Sequence, residues 1–171
     1  MSLRTIMIFP EFNNMEIIDN IRKKYDPLAE LVRPHITLVF PFESQMSNTE
    51  LTDILNRRLQ NVKPFVIKLK GISKHEENFG NYLFLNVIQG IEEIRFIHQV
   101  LYDNEFKEFH MGVSYIPHMT IGNLSSVELL NKAFSEIKSV DDTFSTVVNK
   151  ISVEMIGDNK ESIIIIEKEL I

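Results

Sequence analysis

The first half of the chain shows two apolar patterns, one typical of strands and one typical of helices. Short apolar or alternating runs at 5–9, 35–40 and 65–69 predict strands. Apolar residues at helical spacing predict helices over 13–24 and 47–59, on a face that includes Ile18, Leu51 and Leu55. Asn13 or Asn14 is a candidate cap for the first helix. Ser47 and Glu50 form a capping-box pattern at the start of the second.

The second half repeats the same order of elements at an offset close to 80 residues. Strands are predicted at 82–88, 118–121 and 144–148, and helices at 91–102 and 125–137, the latter capped by Ser125 or Ser126. Few residues are identical between the halves, so the repeat lies in the pattern. We therefore expect one domain over 1–171, with a pseudo-repeat of approximately 4–70 and 82–149.

The remaining segments predict a terminal hairpin and a surface loop. Apolar runs at 151–156 and 163–167 flank a Gly-Asp-Asn-Lys turn, which predicts a C-terminal hairpin over 151–168. The four isoleucines 163–166 would promote aggregation at an exposed edge, so an interior strand is expected there. The segment Gly71–Asn81, rich in charged residues, predicts a mobile surface loop containing His75, and His110 is also expected in a loop.

Charge and composition narrow the classes of function. A net charge of −6 opposes binding to long nucleic acid, which depends on many basic contacts to phosphates, but it does not oppose binding one RNA end or one nucleotide. The chain has no cysteine, which favours a reducing, cytoplasmic location. No apolar run approaches the roughly 20 residues of a membrane span, so no membrane partner is expected.

One short motif occurs twice: Pro34-His35-Ile36-Thr37-Leu38 and Pro117-His118-Met119-Thr120-Ile121. Side chains alternate along a strand, so each motif places an imidazole and a hydroxyl on one face and apolar residues on the other. Histidine titrates near neutral pH, so of two facing histidines one can accept a proton while the other donates one. A threonine hydroxyl can donate a hydrogen bond to a phosphate oxygen. This chemistry needs neither a metal nor a cofactor.

Three alternatives to a catalytic pair also account for the motif. A single His-x-Thr on a strand is usually a half-buried histidine beside a hydroxyl, but two copies in matching places favour a functional pair. A metalloprotein using both histidines is a weaker hypothesis, because zinc prefers three or four protein ligands and the other histidines are poorly placed to join them. A non-catalytic module that binds RNA ends or nucleotides is the main alternative to an enzyme.

The two motifs, about 80 residues apart, resemble those of the 2H phosphoesterase superfamily, which includes bacterial 2′-5′ RNA ligase-like proteins. The stretch Arg22–Pro27 followed by Arg33–Leu38 is similar to the YjcG-like branch of small Firmicutes proteins. The resemblance implies a bilobal α+β fold whose two lobes, related by a pseudo-twofold, line a central cleft. It implies hydrolysis of 2′,3′-cyclic phosphate or 2′-5′ phosphodiester bonds, or the reverse ligation. His35 and His118 would then be the acid and base, and Thr37 and Thr120 would hold the phosphate.

A few other residues are candidates for the site or its surroundings. Arg33 either pairs with a substrate phosphate or is an exposed arginine at the rim, and Tyr115 either stacks on a base or packs. His98 is expected to be a partly buried helix histidine. Arg22, Lys23 and Lys24 are expected on a solvated helix end, where basic residues favour the helix dipole.

Overall fold

Two four-stranded antiparallel sheets with flanking helices make up the computed structural model, which describes residues 2–171. The order of strands and helices predicted from the sequence is confirmed. The elements are β1 (Leu3–Ile8), α1 (Met15–Tyr25), β2 (Ile36–Glu43), α2 (Asn48–Arg58), β3 (Phe65–Glu77), β4 (Gly80–Gln89), α3 (Ile91–Tyr102), a short 3-10 helix (Lys107–Phe109), β5 (His118–Leu124), α4 (Val127–Ile137), β6 (Phe144–Val148), β7 (Lys150–Ile156) and β8 (Ser162–Glu169).

The two sheets have matching topologies. The first sheet has the strand order β2-β1-β7-β8 and the second has the order β5-β4-β3-β6, so the two motif strands occupy equivalent edges. β2 and β5 lie against each other where the lobes meet. The fold is therefore the bilobal α+β arrangement with a central cleft, and its two lobes are related by a pseudo-twofold.

Two helices cross over to cover the motif strand of the opposite lobe. α1 packs against β5 and α3 packs against β2. Because β2 is an edge strand, its outer backbone groups need partners, and α3 supplies two of them. The Tyr102 hydroxyl accepts a hydrogen bond from the Phe40 amide at 3.0 Å, and His98 Nδ1 lies 2.8 Å from the Leu38 carbonyl oxygen. His98 is partly buried, as predicted.

Polar side chains fix the starts of two helices. Ser47 and Glu50 form the predicted capping box on α2, and the Ser126 hydroxyl accepts the Leu129 amide at the start of α4. Asn14 precedes α1, but its side chain does not cap the helix and instead donates to the Thr143 carbonyl. Within residues 2–171, no helix is long and apolar enough to span a membrane.

The expectation of an interior strand at Ile163–Ile166 is wrong, because β8 forms an edge of the first sheet. α2 packs against β8 and covers part of it, so Ile166 is buried while Ile163 is 38% exposed. The same strand ends in the charged run Glu167-Lys168-Glu169, and charged side chains are a common protection of sheet edges.

The predicted loop at Gly71–Asn81 is also wrong. β3 continues to Glu77 and pairs with β4 from Gly80, so the segment is a long hairpin with a tight turn. His75 is therefore a strand residue, directly opposite Tyr82 on β4.

Candidate active site

The two motif histidines are held by the same hydrogen bond. His35 Nδ1 lies 2.8 Å from the carbonyl oxygen of Arg33, and His118 Nδ1 lies 2.7 Å from that of Ile116. A carbonyl oxygen only accepts hydrogen bonds, so Nδ1 of each ring carries the proton. The Nε2 atom of each neutral ring is left with a free lone pair. Both imidazoles therefore present the same nitrogen for proton transfer.

A β-bulge follows the threonine in both motif strands. β1 pairs Met7 with Thr37 and Ile6 with Val39, so Leu38 is an extra residue. β4 pairs Phe84 with Thr120 and Leu83 with Gly122, so Ile121 is the extra residue in β5.

Each bulge ends the strict alternation of faces one residue after the motif threonine. Leu38 and Val39 are consequently both buried, as are Ile121 and Gly122. Thr37 and Thr120 stay partly exposed on the histidine side, and neither hydroxyl has a hydrogen-bond partner within residues 2–171.

Burial shifts the titration of both motif histidines in the same direction. It lowers the pKa of His118 to about 4, with the bond to Ile116 opposing the shift and repulsion from His75 and His35 adding to it. Burial also lowers the pKa of His35, and the bond to Arg33 again opposes it. Both rings are therefore neutral at pH 7 in the ligand-free protein. The strands that carry the two motifs, β2 and β5, contact each other where the lobes meet.

A buried ion pair supports the segment that carries His35. Arg22 and Asp26 side chains are only 2% and 5% exposed, and Arg22 Nε lies 2.9 Å from Asp26 Oδ2. The guanidinium also donates to the Val32 carbonyl at 2.8 Å and to the Leu28 carbonyl at 3.3 Å. The prediction that Arg22 is solvated is thus wrong. Its bonds fix the backbone immediately before the Arg33 carbonyl that holds His35.

Arg33 lies beside the cleft with its side chain 56% exposed. Its guanidinium lies over the Phe9 ring, 4.7 Å from the centroid, and 3.9 Å from a Glu11 carboxylate oxygen. These three residues line a pocket of about 520 Å³ that reaches Lys150 and Glu169, and neither motif histidine lines it. Arg33 is therefore accessible beside His35, whose ring its backbone carbonyl orients.

Tyr115 connects the two motifs by packing. Its hydroxyl donates to the Thr37 carbonyl at 2.7 Å, and its ring stacks on His98 with centroids 3.7 Å apart. Burial raises the pKa of the Tyr115 hydroxyl. Because His98 covers one face of the Tyr115 ring and the hydroxyl is hydrogen-bonded, these contacts favour packing over stacking on a base.

The structure adds residues that the sequence did not suggest, all on β3 and β4 beside His118. The Phe84 ring stacks on His118 with centroids 3.6 Å apart and on His75 with centroids 4.4 Å apart. Ser73 hydrogen-bonds both His75 and Asn86. One available signal was Asn86 itself, the only strongly polar residue between Leu83 and Ile88. No group of three or more His, Asp or Glu side chains suited to a metal ion occurs within residues 2–171.

Each of the two antiparallel sheets carries a His-x-Thr motif on the edge strand that faces the other sheet. A family model described as the 2′-5′ RNA ligase superfamily matches residues 9–158. This chain belongs to that superfamily.

Curated relatives agree with this assignment, and solved structures share the fold. A Bacillus mycoides relative named "Putative phosphoesterase" is 31% identical over 125 residues, which are 72% of this chain and 71% of the relative. A Bacillus pumilus relative of the same name is 26% identical over 159 residues, covering 92% and 82%. A solved phosphoesterase structure has a TM-score of 0.66 at 12% identity and covers 99% of both chains. E. coli LigT complexed with 3′-AMP has a TM-score of 0.64 at 13% identity, covering 99% of this chain and 98% of LigT.

Proposed function

We propose that this chain is a metal-independent phosphoesterase that opens 2′,3′-cyclic phosphate or 2′-5′ phosphodiester bonds with His35 and His118 as general acid and base. The observation that carries the proposal is the mirrored bond from each Nδ1 to a backbone carbonyl, which leaves both Nε2 atoms free on motif strands that contact each other. Two imidazoles and two hydroxyls suffice for the proton transfers of such a reaction. The equivalent edge positions of the two motif strands also support one domain built from a pseudo-repeat, approximately 4–70 and 82–149.

In the proposed step, Nε2 of the neutral histidine accepts a proton from water as the water oxygen bonds to phosphorus. Nε2 of the protonated histidine gives its proton to the departing ribose oxygen as the phosphorus–oxygen bond breaks. The hydroxyls of Thr37 and Thr120 donate hydrogen bonds to non-bridging phosphate oxygens. Arg33 adds a cation at the rim. An anionic phosphodiester raises the pKa of whichever histidine it contacts, which supplies the acid form at neutral pH.

We propose small nucleotides or RNA ends as substrates, and a cytoplasmic location in keeping with the absence of cysteine. LigT, the structural neighbour, is known in complexes with 3′-AMP, ATP and NADP+. The net charge of −6 favours a short end or a single nucleotide over a long nucleic acid.

The test is a panel of 2′,3′-cyclic nucleotides and 2′-5′ linked dinucleotides incubated with the wild-type protein, with and without EDTA. We expect cleavage of at least one substrate at an EDTA-independent rate, with the product phosphate position assigned by phosphorus NMR. Absence of product from every substrate, or full inhibition by EDTA, would contradict the proposal.

One observation favours a second candidate, a non-catalytic module that binds nucleotides or RNA ends. Both histidine pKa values are lowered, so the ligand-free pair lacks an acid at pH 7. Calorimetry that shows tight nucleotide binding, together with no product after long incubation, would support this candidate over the enzyme.

A further inference from the structure

Next to His118 the second sheet carries a chain of three hydrogen-bonded polar side chains. The Ser73 hydroxyl lies 2.8 Å from Asn86 Oδ1 and 2.9 Å from His75 Nε2. Residues directly opposite in an antiparallel pair share a face, and Asn86 is opposite His118. Ser73 and His75 are on the same face, because Ser73 is opposite Phe84 and His75 is opposite Tyr82. All three side chains therefore face the cleft.

The directions of these bonds follow from the number of protons. Asn86 Oδ1 only accepts, so the single proton of the Ser73 hydroxyl is donated to it. Ser73 Oγ must then accept from His75, whose Nε2 carries a proton. The chain runs from His75 to Ser73 to Asn86. It fixes the orientation of the Asn86 amide and leaves its Nδ2 group, the donor end, without a partner within residues 2–171.

A second feature is a β-bulge in the strand opposite this amide. β3 pairs Leu69 with Val87 and Ile72 with Leu85, so Lys70 and Gly71 both lie opposite Asn86 in a β-bulge. Gly71 has a φ of +83°, a conformation that residues with side chains rarely adopt. A Cβ atom at Gly71 would lie 3.8 Å from Asn86 Nδ2, an ordinary van der Waals distance, so the glycine is required by the backbone conformation and not by lack of space. Bulges commonly redirect side chains beside active sites, and here the glycine permits the bulge opposite Asn86.

We infer that Asn86 is a further phosphate-binding residue of the cleft, which donates from Nδ2 to a non-bridging phosphate oxygen, and that Ser73 and His75 are its positioning residues. This inference rests on the proposed function for its substrate, since it adds a third neutral donor to Thr37 and Thr120. A neutral amide suits the place, because a cation beside His118 would further oppose its protonation.

The test measures affinity for inorganic phosphate through the NMR shifts of the His118 imidazole, so it does not depend on turnover. Asn86→Ala should weaken phosphate binding about tenfold or more, as expected for loss of a hydrogen bond to a charged group. Gln89→Ala, which removes an exposed amide from the same strand, should leave it unchanged. Asn86→Asp keeps the size and the acceptor but replaces the donor with a charged oxygen, and it should abolish binding even if the alanine variant fails to fold.

The positioning role has its own readout. Ser73→Ala frees the amide to rotate and should weaken phosphate binding severalfold at an unchanged melting temperature, whereas Ser73→Thr keeps the hydroxyl and should restore the affinity. Wild-type affinity in both Asn86 variants, or no phosphate binding by the wild-type protein, would overturn the inference. Asn86-dependent binding without cleavage of any cyclic nucleotide would instead contradict the proposed enzyme and leave the phosphate site established.

Discussion

Substitution of Arg22 tests whether a buried ion pair holds the segment before His35. The side chains of Arg22 and Asp26 are almost fully buried, and the guanidinium also binds two backbone carbonyls of the 28–32 segment. Arg22→Met keeps the apolar stem but leaves the Asp26 carboxylate buried without its partner. Loss of one partner of such a pair typically costs about 3–5 kcal/mol, a large share of the roughly 5–15 kcal/mol by which domains are stable.

The assay is urea unfolding followed by circular dichroism, with the free energy of unfolding compared among four proteins. Lys23→Met removes the neighbouring exposed base from the same helix and should change the free energy by about 0.5 kcal/mol or less. The double variant Arg22→Met with Asp26→Asn removes both charges while residue 26 still accepts the Leu28 amide. It should recover a large part of the loss, because the main penalty is the unpaired charge. A single variant that costs less than about 1 kcal/mol, or a double variant no better than the single, would refute this reasoning.

Two further outcomes are expected. The pKa of His118 is about 4 in the folded protein against 6.5 in the unfolded chain, so its neutral form contributes stability that is present above pH 6.5 and is lost as the pH falls toward 4. The loss is roughly 3 kcal/mol at most. Urea unfolding at pH 7.5 and pH 4.5 should show a smaller decrease in the free energy of unfolding for His118→Gln than for the wild-type protein. An equal decrease in both proteins would contradict the lowered pKa of His118. Tyr115→Phe removes the hydrogen bond to the Thr37 carbonyl and should lower the free energy of unfolding by about 1 kcal/mol. Tyr82→Phe is the control, because the Tyr82 hydroxyl has no partner within residues 2–171, and it should have a smaller effect. Equal effects of the two substitutions would argue against the Tyr115 bond.

Local patterns were enough to predict most elements of this fold. Strand and helix periodicity, the Ser47 capping box and the choice of Ser125 or Ser126 as a cap depend on residues close in sequence. The position of β8 in its sheet cannot be predicted from residues close in sequence, because strand order depends on pairing between distant segments. The isoleucine run correctly indicated a strand, but it could not reveal that α2 would cover part of the edge.

The surroundings of the histidines were harder to predict for the same reason. In the sequence, Arg22 is one of three basic residues at a helix end. It is buried because the following 28–32 segment folds back against it and accepts its hydrogen bonds. His75 lies near the exposed turn of the β3–β4 hairpin, where most neighbouring residues are charged. The sequence pattern of this segment therefore resembled that of a loop. The sequence indicated His35 and His118 as a pair because a repeated motif carries information across 83 positions that periodicity does not, and their catalytic role stays a prediction.

The rate of 2′,3′-cyclic nucleotide hydrolysis in His35→Ala and His118→Ala tests the central claim most directly. Each substitution removes one proton-transfer group, so each should lower the rate at least about a hundredfold while the melting temperature shows a folded protein. His110→Ala changes an exposed histidine that belongs to neither motif and should retain the wild-type rate. If either motif variant stayed folded and hydrolysed the substrate at the wild-type rate, the paired-histidine mechanism would be wrong.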